Sequence, residues 1–192
     1  TFNGSVNMHD PNVELEFLGK VNLSDSLAAF DFTANITDAN LYALNIDKSD
    51  PDFRASCYLI ANARGNSVNT LNGEVKLLNS LFVRKDKQLQ IYDFSVLSEN
   101  TSGNSNIILR SDFIDADMKG NYEKTKIGDA VRYFILTYLP SLADSSVLKT
   151  ATPDHSLQLS ATIKNVKPLF DFFLPDYGIA ENSTVNLTYM PD

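Results

Sequence analysis

The feature that most constrains this chain is a strict alternation of apolar and polar residues in several separate segments. In the first of them, Val13, Leu15 and Phe17 alternate with Glu14 and Glu16. Successive side chains of a β-strand point to opposite faces of its sheet, so a period of two is typical of strands buried on one face. The same alternation occurs over residues 30–36, 55–61, 89–91, 157–163 and 185–189.

Short clusters of turn-forming residues separate these segments. HDPN, NLSDS, ARGNS, SENTSGNSN and ENS are rich in Asn, Asp, Ser and Gly, which favour tight turns between antiparallel strands. The chain has 192 residues, of which 43% are hydrophobic, and this is enough to bury one sizeable core. We therefore predict a mostly β fold: one long, curved antiparallel sheet in the form of an open trough or partial barrel.

A short phrase with a glycine at a fixed place recurs along the chain. It is FNGSVNMHD at 2–10, FLGKVNLSD at 17–25, LNGEVKLLN at 71–79 and, more loosely, MKGNYEKT at 118–125. The intervals between Gly4, Gly19, Gly73 and Gly120 are unequal, which argues against a solenoid of fixed repeat length. A glycine inside a strand permits a bulge, a bend or a close backbone approach. We interpret the phrase as a recurring device of a curved sheet, with chance resemblance among turn glycines as the alternative.

Two segments depart from the alternation and predict helices. An amphipathic helix is expected near 125–139, with Pro140 marking its end, and a short helix is expected near 166–174, between two prolines. The first is shorter than the ~20 residues that a membrane span requires. We expect both helices to lie as lids on the apolar side of the sheet, with membrane contact as the alternative. The apolar face of the longer helix, which would cap the groove, consists of Ile127, Val131, Phe134, Ile135 and Tyr138.

The chain is predicted to be a single β-rich unit, 1–192, belonging to a longer protein. Its first residues are already in the strand pattern, without an initial Met or a signal peptide. Within it we expect the curved sheet over 1–124, the capping helix over 125–140, and the short helix with closing strands over 141–192.

Residue types that carry out catalysis are scarce in this sequence. His9 and His155 stand in polar, turn-like surroundings without a nucleophile motif, and Cys57, the one cysteine, has no partner for an internal disulfide. Asp112, Asp115 and Asp117 lie close together, but such residues more often form the solvated side of a strand than a Ca²⁺ or acid–base site. We predict a protein that is not an enzyme and that has no cofactor or metal site.

Charge argues against a nucleic-acid partner. Acidic residues outnumber basic ones by 24 to 16, which gives a formal net charge of −8, and no Lys or Arg cluster stands out. Nucleic-acid binding relies on cationic side chains that neutralise phosphates, so this class of partner is not expected.

An alternating sheet has one apolar face that something must cover. Closure of the sheet on itself, a second sheet, a helix or an apolar ligand would each do so, and the pattern alone leaves these options open. If the face is an open groove for acyl chains, its best lining candidates are Phe30, Phe32, Ile36, Leu59 and Ile91.

Several longer stretches resemble TamB proteins of the AsmA-like superfamily. The closest similarity is in NIILRSDFIDADMKGNYEKTKIGDAVRYFILTYLPSL, residues 106–142. Residues 9–25, 36–46 and 71–96 are also similar to that family, in the same order along the chain. None of these phrases is a catalytic signature, and the resemblance is carried by their order.

The resemblance implies both a location and a function. TamB-like proteins are anchored in the inner membrane, cross the periplasm as a β-rich trough, and take part in outer-membrane biogenesis with TamA/BamA-like barrels. The resemblance thus implies a non-enzymatic periplasmic segment that shelters phospholipid acyl chains, with the barrel partner contacted by parts outside this chain. The helix near 125–139 would then cap the groove. The alternatives are a closed β-sandwich module that binds glycans or acts as an adhesin, and a hydrolase built on Asp112–Asp117.

Overall fold

A computed structural model describes most of the chain. The described residues are 1–24, 26–101, 103–127, 156–173, 175, 178 and 180–190. All ten strands of this part belong to one antiparallel sheet in which each strand pairs with its neighbours in sequence order, and β1 and β10 are the edges of an open sheet. The strands are β1 Phe2–Asp10, β2 Val13–Asn22, β3 Ala29–Asn40, β4 Arg54–Arg64, β5 Asn72–Arg84, β6 Lys87–Thr101, β7 Asn104–Ser111, β8 Ile114–Gly120, β9 Leu157–Ile163 and β10 Thr184–Tyr189. The predicted mostly β fold with a long antiparallel sheet is confirmed.

The turns between strands follow from the polar clusters in the sequence. Between β1 and β2, Pro11 and Asn12 form a two-residue connection, and the Asn12 backbone N–H donates to the Asp10 carboxylate at 2.9 Å. Proline fixes the backbone angle of the first turn residue, and the Asp side chain supplies a local acceptor. Connections this short force neighbouring strands to be antiparallel.

Strand register places the alternating apolar residues on one continuous face, called here the apolar face. In β2 and β3, Phe17 lies opposite Ala34, and Leu15 lies opposite Ile36. Register shifts occur in three strand pairs, β2–β3, β3–β4 and β4–β5. Such bulges bend the strands and strengthen their twist. In order from β1 to β10, the apolar face includes Val6, Phe17, Phe32, Leu59, Leu77, Val96, Leu109, Ala116, Ala161 and Val185.

Three of the four repeated-phrase glycines are required by close approach of the next strand. Gly19, Gly73 and Gly120 have φ angles between +136° and +153°. A Cβ atom at Gly73 would stand 2.2 Å from the Asn62 carbonyl oxygen, and at Gly120 it would stand 2.1 Å from that of Ser156. The interpretation of the phrase as a strand device is confirmed at these three positions. Gly4 differs, since the nearest atom to its added Cβ is a Phe2 ring carbon at 3.6 Å.

One short helix, α1 (Lys167–Phe173), covers one end of the apolar face in the described part of the chain. It begins where the Asn165 side chain accepts the Lys167 backbone N–H. The Lys87 ammonium on β6 donates to the Asp171 carbonyl at 2.9 Å, which fixes the helix to the sheet. The predicted helix near 166–174 is confirmed, with bounds within a residue of those expected.

An aromatic cluster lies under α1. Phe172 packs at a ring-centroid distance of 6.0 Å from Phe53, which lies in the β3–β4 connection. Leu89 on β6 is 1% exposed and belongs to the same cluster. The buried members are Phe53, Leu89, Phe113, Ile163, Val166 and Phe172. The main core of the described residues therefore lies where α1 and the connections that contain Phe53 and Phe113 pack against the ends of the middle strands.

Candidate functional site

The five residues predicted to line a groove all lie on the apolar face. Phe30, Phe32 and Ile36 share one side of β3, Leu59 lies opposite Ala34 between them, and Ile91 lies opposite Ser80 beside the Phe82–Leu89 pair. All five are half-buried. Their shared face was predictable because alternation shows which residues of one strand point to the same side. Strand register then places these residues beside the apolar residues of the neighbouring strands.

The surroundings of these five residues differ along the sheet. Phe32 packs against Phe17 with tilted rings at a centroid distance of 4.9 Å, and Phe17 lies 5.9 Å from Phe2, so an aromatic row runs towards the β1 edge. Ile91 instead packs against the cluster under α1. The aromatic row and the α1 cluster are two separate parts of one apolar face.

Large apolar side chains remain exposed at both edges of the sheet. On β1, Phe2, Val6 and Met8 are 40–42% exposed, and on β10 Val185 is 44% exposed. All four belong to the apolar face. The three residues of β1 lie along one side of a single strand, and an exposed apolar patch of this kind is a candidate surface for binding.

The residues predicted to cap the groove fall mostly outside the described part of the chain. A short 3₁₀ helix, Lys124–Lys126, follows β8, and Ile127 after it is half-buried. Val131, Phe134, Ile135 and Tyr138 lie outside the described residues.

Lys124 is a buried cation that sequence analysis missed. Its side chain is buried, and its ammonium donates to the Leu71 carbonyl at 2.8 Å and to the Ser98 hydroxyl oxygen at 2.5 Å. Burial lowers the pKa of Lys124 below its ordinary value, because the charged form loses hydration. In the sequence EKTK this lysine is indistinguishable from a surface residue, and only the long-range approach of β5 and β6 buries it.

The three aspartates considered for an acid–base or Ca²⁺ site have other partners. The Asp112 carboxylate accepts the Tyr92 backbone N–H at 2.6 Å. Asp115 pairs with Lys164 at 2.8 Å, and both carboxylate oxygens of Asp117 accept from one Arg110 nitrogen, Nη2, at 2.9 and 3.0 Å. The Lys164 hydrogen bond lowers the pKa of Asp115. Asp115 and Asp117 form ion pairs on the polar face, Asp112 caps backbone N–H groups of β6 from the β7–β8 connection, and the three carboxylates form no common metal site in the described part of the chain.

The histidines and the cysteine form no catalytic arrangement in the part of the chain that the structure describes. His9 is exposed and lies 3.7 Å from Glu14, while His155 is outside this part of the chain. Cys57 lies on the apolar face opposite Ile36, and burial raises the pKa of its thiol, which keeps it in the poorly nucleophilic protonated form. No group of three His, Cys, Asp or Glu among the described residues could hold a metal ion.

A cleft of ≈ 480 Å³ lies elsewhere on the sheet, at the ends of β6 to β10. Most of its lining residues carry polar side chains, among them Glu99, Asn106, Lys119 and Gln158, although apolar atoms form more of the lining surface. None of the five predicted lining residues borders it. The apolar face is therefore a better candidate for an acyl chain, because it removes hydrocarbon from water without desolvating polar groups.

Comparisons with protein-family models, curated proteins and solved structures find no match to this chain. The resemblance to TamB proteins stays a prediction. In the part of the chain that the structure describes, no helix has the length and apolar character of a membrane span.

Proposed function

We propose that this chain is a non-enzymatic binding segment that shelters the acyl chains of phospholipids on its apolar face. The observation that carries the proposal is an apolar face that continues across all ten described strands of an open sheet, through three register shifts. α1 covers only the end where Leu89 and Phe172 lie, whereas the β1 edge keeps Phe2, Val6 and Met8 exposed.

The energetics favour hydrocarbon over a polar ligand. Each CH₂ group removed from water contributes about 0.8 kcal/mol, so a long acyl chain gains affinity without contacts to its head group. The aromatic row of Phe2, Phe17 and Phe32 offers ring faces at centroid spacings of 4.9 and 5.9 Å. The charged side chains described above lie on the opposite face or at strand ends, which leaves the head group to solvent.

The proposed setting comes from the resemblance to TamB proteins. In that setting, the chain would be part of a longer periplasmic protein that is anchored to the inner membrane and supports outer-membrane biogenesis. An outer-membrane barrel of the TamA/BamA type would be its partner through regions outside this chain. The order of the resembling phrases supports this setting, and the open antiparallel sheet is compatible with it.

A matched pair of charge insertions tests lipid binding. Val6→Glu places a carboxylate on the apolar face of β1, and Leu18→Glu places one on the opposite face of β2, where Leu18 is 64% exposed. Each protein is incubated with phosphatidylethanolamine and analysed by native mass spectrometry, and a fluorescent fatty acid is titrated in parallel. We expect Val6→Glu to weaken binding by at least about tenfold, equivalent to about 1.4 kcal/mol, and Leu18→Glu to bind like the parent protein.

Two results would contradict the proposal. One is a parent protein that binds neither the phospholipid nor the fatty acid. The other is equal weakening by both variants, because the effect would then come from added charge and not from the apolar face. Circular dichroism of both variants checks that they remain folded.

The closed β-sandwich considered from the sequence is not favoured. A sandwich needs two sheets packed face to face, and the ten described strands form one sheet with two open edges. A glycan-binding function has no other observation in its support.

A further inference from the structure

Hydrogen-bond donors outnumber acceptors around Lys124. The Leu71 carbonyl oxygen accepts from the Lys124 ammonium at 2.8 Å, from the Ser98 hydroxyl at 2.7 Å and from the Asn100 side-chain amide at 3.1 Å. A carbonyl oxygen has two lone pairs, so three donors share two acceptor positions. The site therefore offers hydrogen bonds that a further oxygen acceptor would take.

The positive charge of Lys124 is also unbalanced. The residue is 7% exposed, and both of its hydrogen-bond acceptors, the Leu71 carbonyl and the Ser98 hydroxyl, are neutral. The carboxylate next to it in sequence, Glu123, pairs with Lys126 at 3.1 Å, and no carboxylate in the described part of the chain forms an ion pair with Lys124. Because buried charges in proteins are normally paired, the site favours an acceptor that is an anion.

The Lys124 site belongs to a straight row of residues across the apolar face. Ser98 lies directly opposite Gly73, and in each further strand the direct partner again belongs to this row. In order from β6 to β1, the row is Ser98, Gly73, Ala63, Phe30, Val21 and Phe2. Gly73 and Ala63 have the smallest side chains of the row, so hydrocarbon that starts at Lys124 can lie close to the sheet as far as Phe30.

The length of this row matches one acyl chain. Neighbouring strands are about 4.8 Å apart, so three spacings separate Ser98 from Phe30 by about 14 Å. The hydrocarbon core of a bilayer is about 30 Å thick and has two leaflets, so one acyl chain spans about 15 Å. A chain whose head group lies at Lys124 therefore ends beside Phe30 and its neighbour on the same face, Phe32, which belongs to the aromatic row.

We propose that Lys124 binds the carboxylate of a free fatty acid whose tail crosses β5 and β4 towards the aromatic row. The ligand class is an oxygen anion joined to one hydrocarbon chain. The anion accepts the hydrogen bonds that Leu71 alone cannot satisfy, and the tail covers apolar side chains. The inference rests on the proposed shelter for acyl chains, and it adds a ligand class and an orientation.

Burial of Lys124 favours a carboxylate over the head group of a phospholipid. A carboxylate ends its molecule, so nothing polar beyond it has to leave water. The phosphate of phosphatidylethanolamine carries an ammonium group as well, and burial of this second charge would need a further partner. Phospholipids therefore use the apolar face with their head group in solvent, as proposed above, and do not need Lys124.

Few contacts hold the segment that covers Lys124. It is a 3₁₀ helix of three residues, Lys124–Lys126. The Thr125 backbone N–H donates to the Asn69 side-chain oxygen at 3.1 Å, the Asn69 amide donates to the Thr125 hydroxyl oxygen at 3.3 Å, and both bonds are exposed. Segments with exposed bonds open locally at a much lower cost than global unfolding. A carboxylate can therefore reach Lys124 while the sheet stays paired.

Two ligands and two variants test the anion anchor. Palmitate and hexadecanol have tails of equal length, but only palmitate carries a carboxylate. Lys124→Met replaces the ammonium with a neutral side chain of similar size. Lys119→Met removes the same charge from the opposite, polar face of β8 and is the matched control. Binding of each ligand is measured by displacement of a fluorescent fatty acid.

The expected result is a loss that is specific to one variant and one ligand. Lys124→Met should weaken palmitate binding by at least about tenfold, because hydrogen bonds from a charged donor are lost. Binding of hexadecanol and of phosphatidylethanolamine should not change in this variant, which also shows that it is folded. Lys119→Met should bind all three ligands like the parent protein.

The failure of this inference can be told apart from failure of the proposed function. Unchanged palmitate binding by Lys124→Met, equal weakening of palmitate and hexadecanol, or equal weakening of palmitate by Lys119→Met overturns the inference, while the shelter for acyl chains stands. A parent protein that binds none of the three ligands overturns both.

A photoreactive ligand tests the orientation of the tail. Palmitate with a diazirine at its terminal carbon is bound, irradiated and located by peptide mass spectrometry. We expect labelled residues around Phe30 on β3 and Val21 on β2. Labels confined to Leu71 and Ser98 would place the tail, and not the carboxylate, at Lys124 and would overturn the proposal.

Discussion

The middle of the sheet and its first hairpin carry the same kind of apolar face, but they differ in what covers it. In the middle, α1 and the connections at Phe53 and Phe113 bury Leu89 almost completely. In the β1–β2 hairpin, Phe2 and Val6 on the same face keep about two-fifths of their surface exposed. Apolar and polar residues alternate in both places, over residues 2–8 and over residues 89–91, with Gly4 among the apolar positions of the first.

This difference shows that a strand pattern fixes which side chains share a face but does not fix their burial. Burial of the middle depends on Phe172, which lies far along the chain from Phe53, its aromatic neighbour. The hairpin has no such partner among the described residues. Stability is expected to be concentrated in the middle, and binding capacity at the edge.

The largest effect is expected from removal of the aromatic residue that covers the middle. Phe172→Ala should lower the free energy of unfolding by about 3–5 kcal/mol, since a buried ring is lost and a cavity is left. Phe2→Ala, in the exposed hairpin, should cost less than about 1.5 kcal/mol. Urea unfolding of the two variants measures the contrast. Equal losses would show that the hairpin is as well packed as the middle.

The next effect concerns the glycines of the repeated phrase. Gly73→Ala should destabilise by about 2–4 kcal/mol, because the new Cβ meets the Asn62 carbonyl and the backbone angle is unfavourable for alanine. Gly4→Ala, at the edge, meets nothing closer than a Phe2 ring carbon and should be neutral or slightly stabilising. Thermal unfolding of both variants provides the test. A tolerated Gly73→Ala would mean that the inner strands do not approach as closely as described.

A smaller effect is expected on how stability changes with pH, and it comes from Lys124. The pKa of Lys124 is lower in the folded protein than its ordinary value of 10.5. At pH values between these two pKa values, the unfolded chain therefore binds more protons than the folded chain. Stability attributable to Lys124 should therefore rise with pH through that window. Lys124→Met should remove this rise, while the Leu71 carbonyl keeps its bonds from Ser98 and Asn100. Unfolding free energies of both proteins from about pH 8 to pH 10 give the two slopes, and identical slopes would contradict the prediction.

The smallest effect is expected from an ion pair on the polar face. Asp115→Asn should cost about 0.5 kcal/mol at neutral pH, since both partners are partly exposed and screened. Because Lys164 lowers the pKa of Asp115, this contribution is present above the ordinary value of 3.8 and disappears as the pH falls through the lowered value. A double-mutant cycle with Lys164→Met measures the pair. A coupling of several kcal/mol would show that the polar face is as important to stability as the middle.

Much of the sheet could be predicted because its signals are local. The alternation of Val13, Leu15 and Phe17 with polar residues is visible within five consecutive positions. The turn at Pro11 follows from the chemistry of a few side chains. Short turns also fix the order of the strands, because a short connection brings the next strand alongside. The five lining candidates share a face for the same reason.

Other features could not be predicted because they depend on contacts between distant residues. Nothing near Lys124 in the sequence marks it as buried, since its partners Leu71 and Ser98 come from β5 and β6 or the chain leading into them. Ile91 and Phe32 both stand in alternating apolar and polar segments. Nevertheless, Ile91 packs against the cluster under α1, whereas Phe32 belongs to the aromatic row that leads to the β1 edge. Strand pattern contains no information about such a choice.

The sequence by itself determined that this chain forms antiparallel strands with one apolar face, because period-two alternation and turn chemistry act over a few residues. Only the tertiary structure decided where that face is covered and which glycines allow neighbouring strands to approach closely. Those outcomes depend on which distant segments meet, and α1 covers only the ends of the middle strands of a ten-stranded sheet.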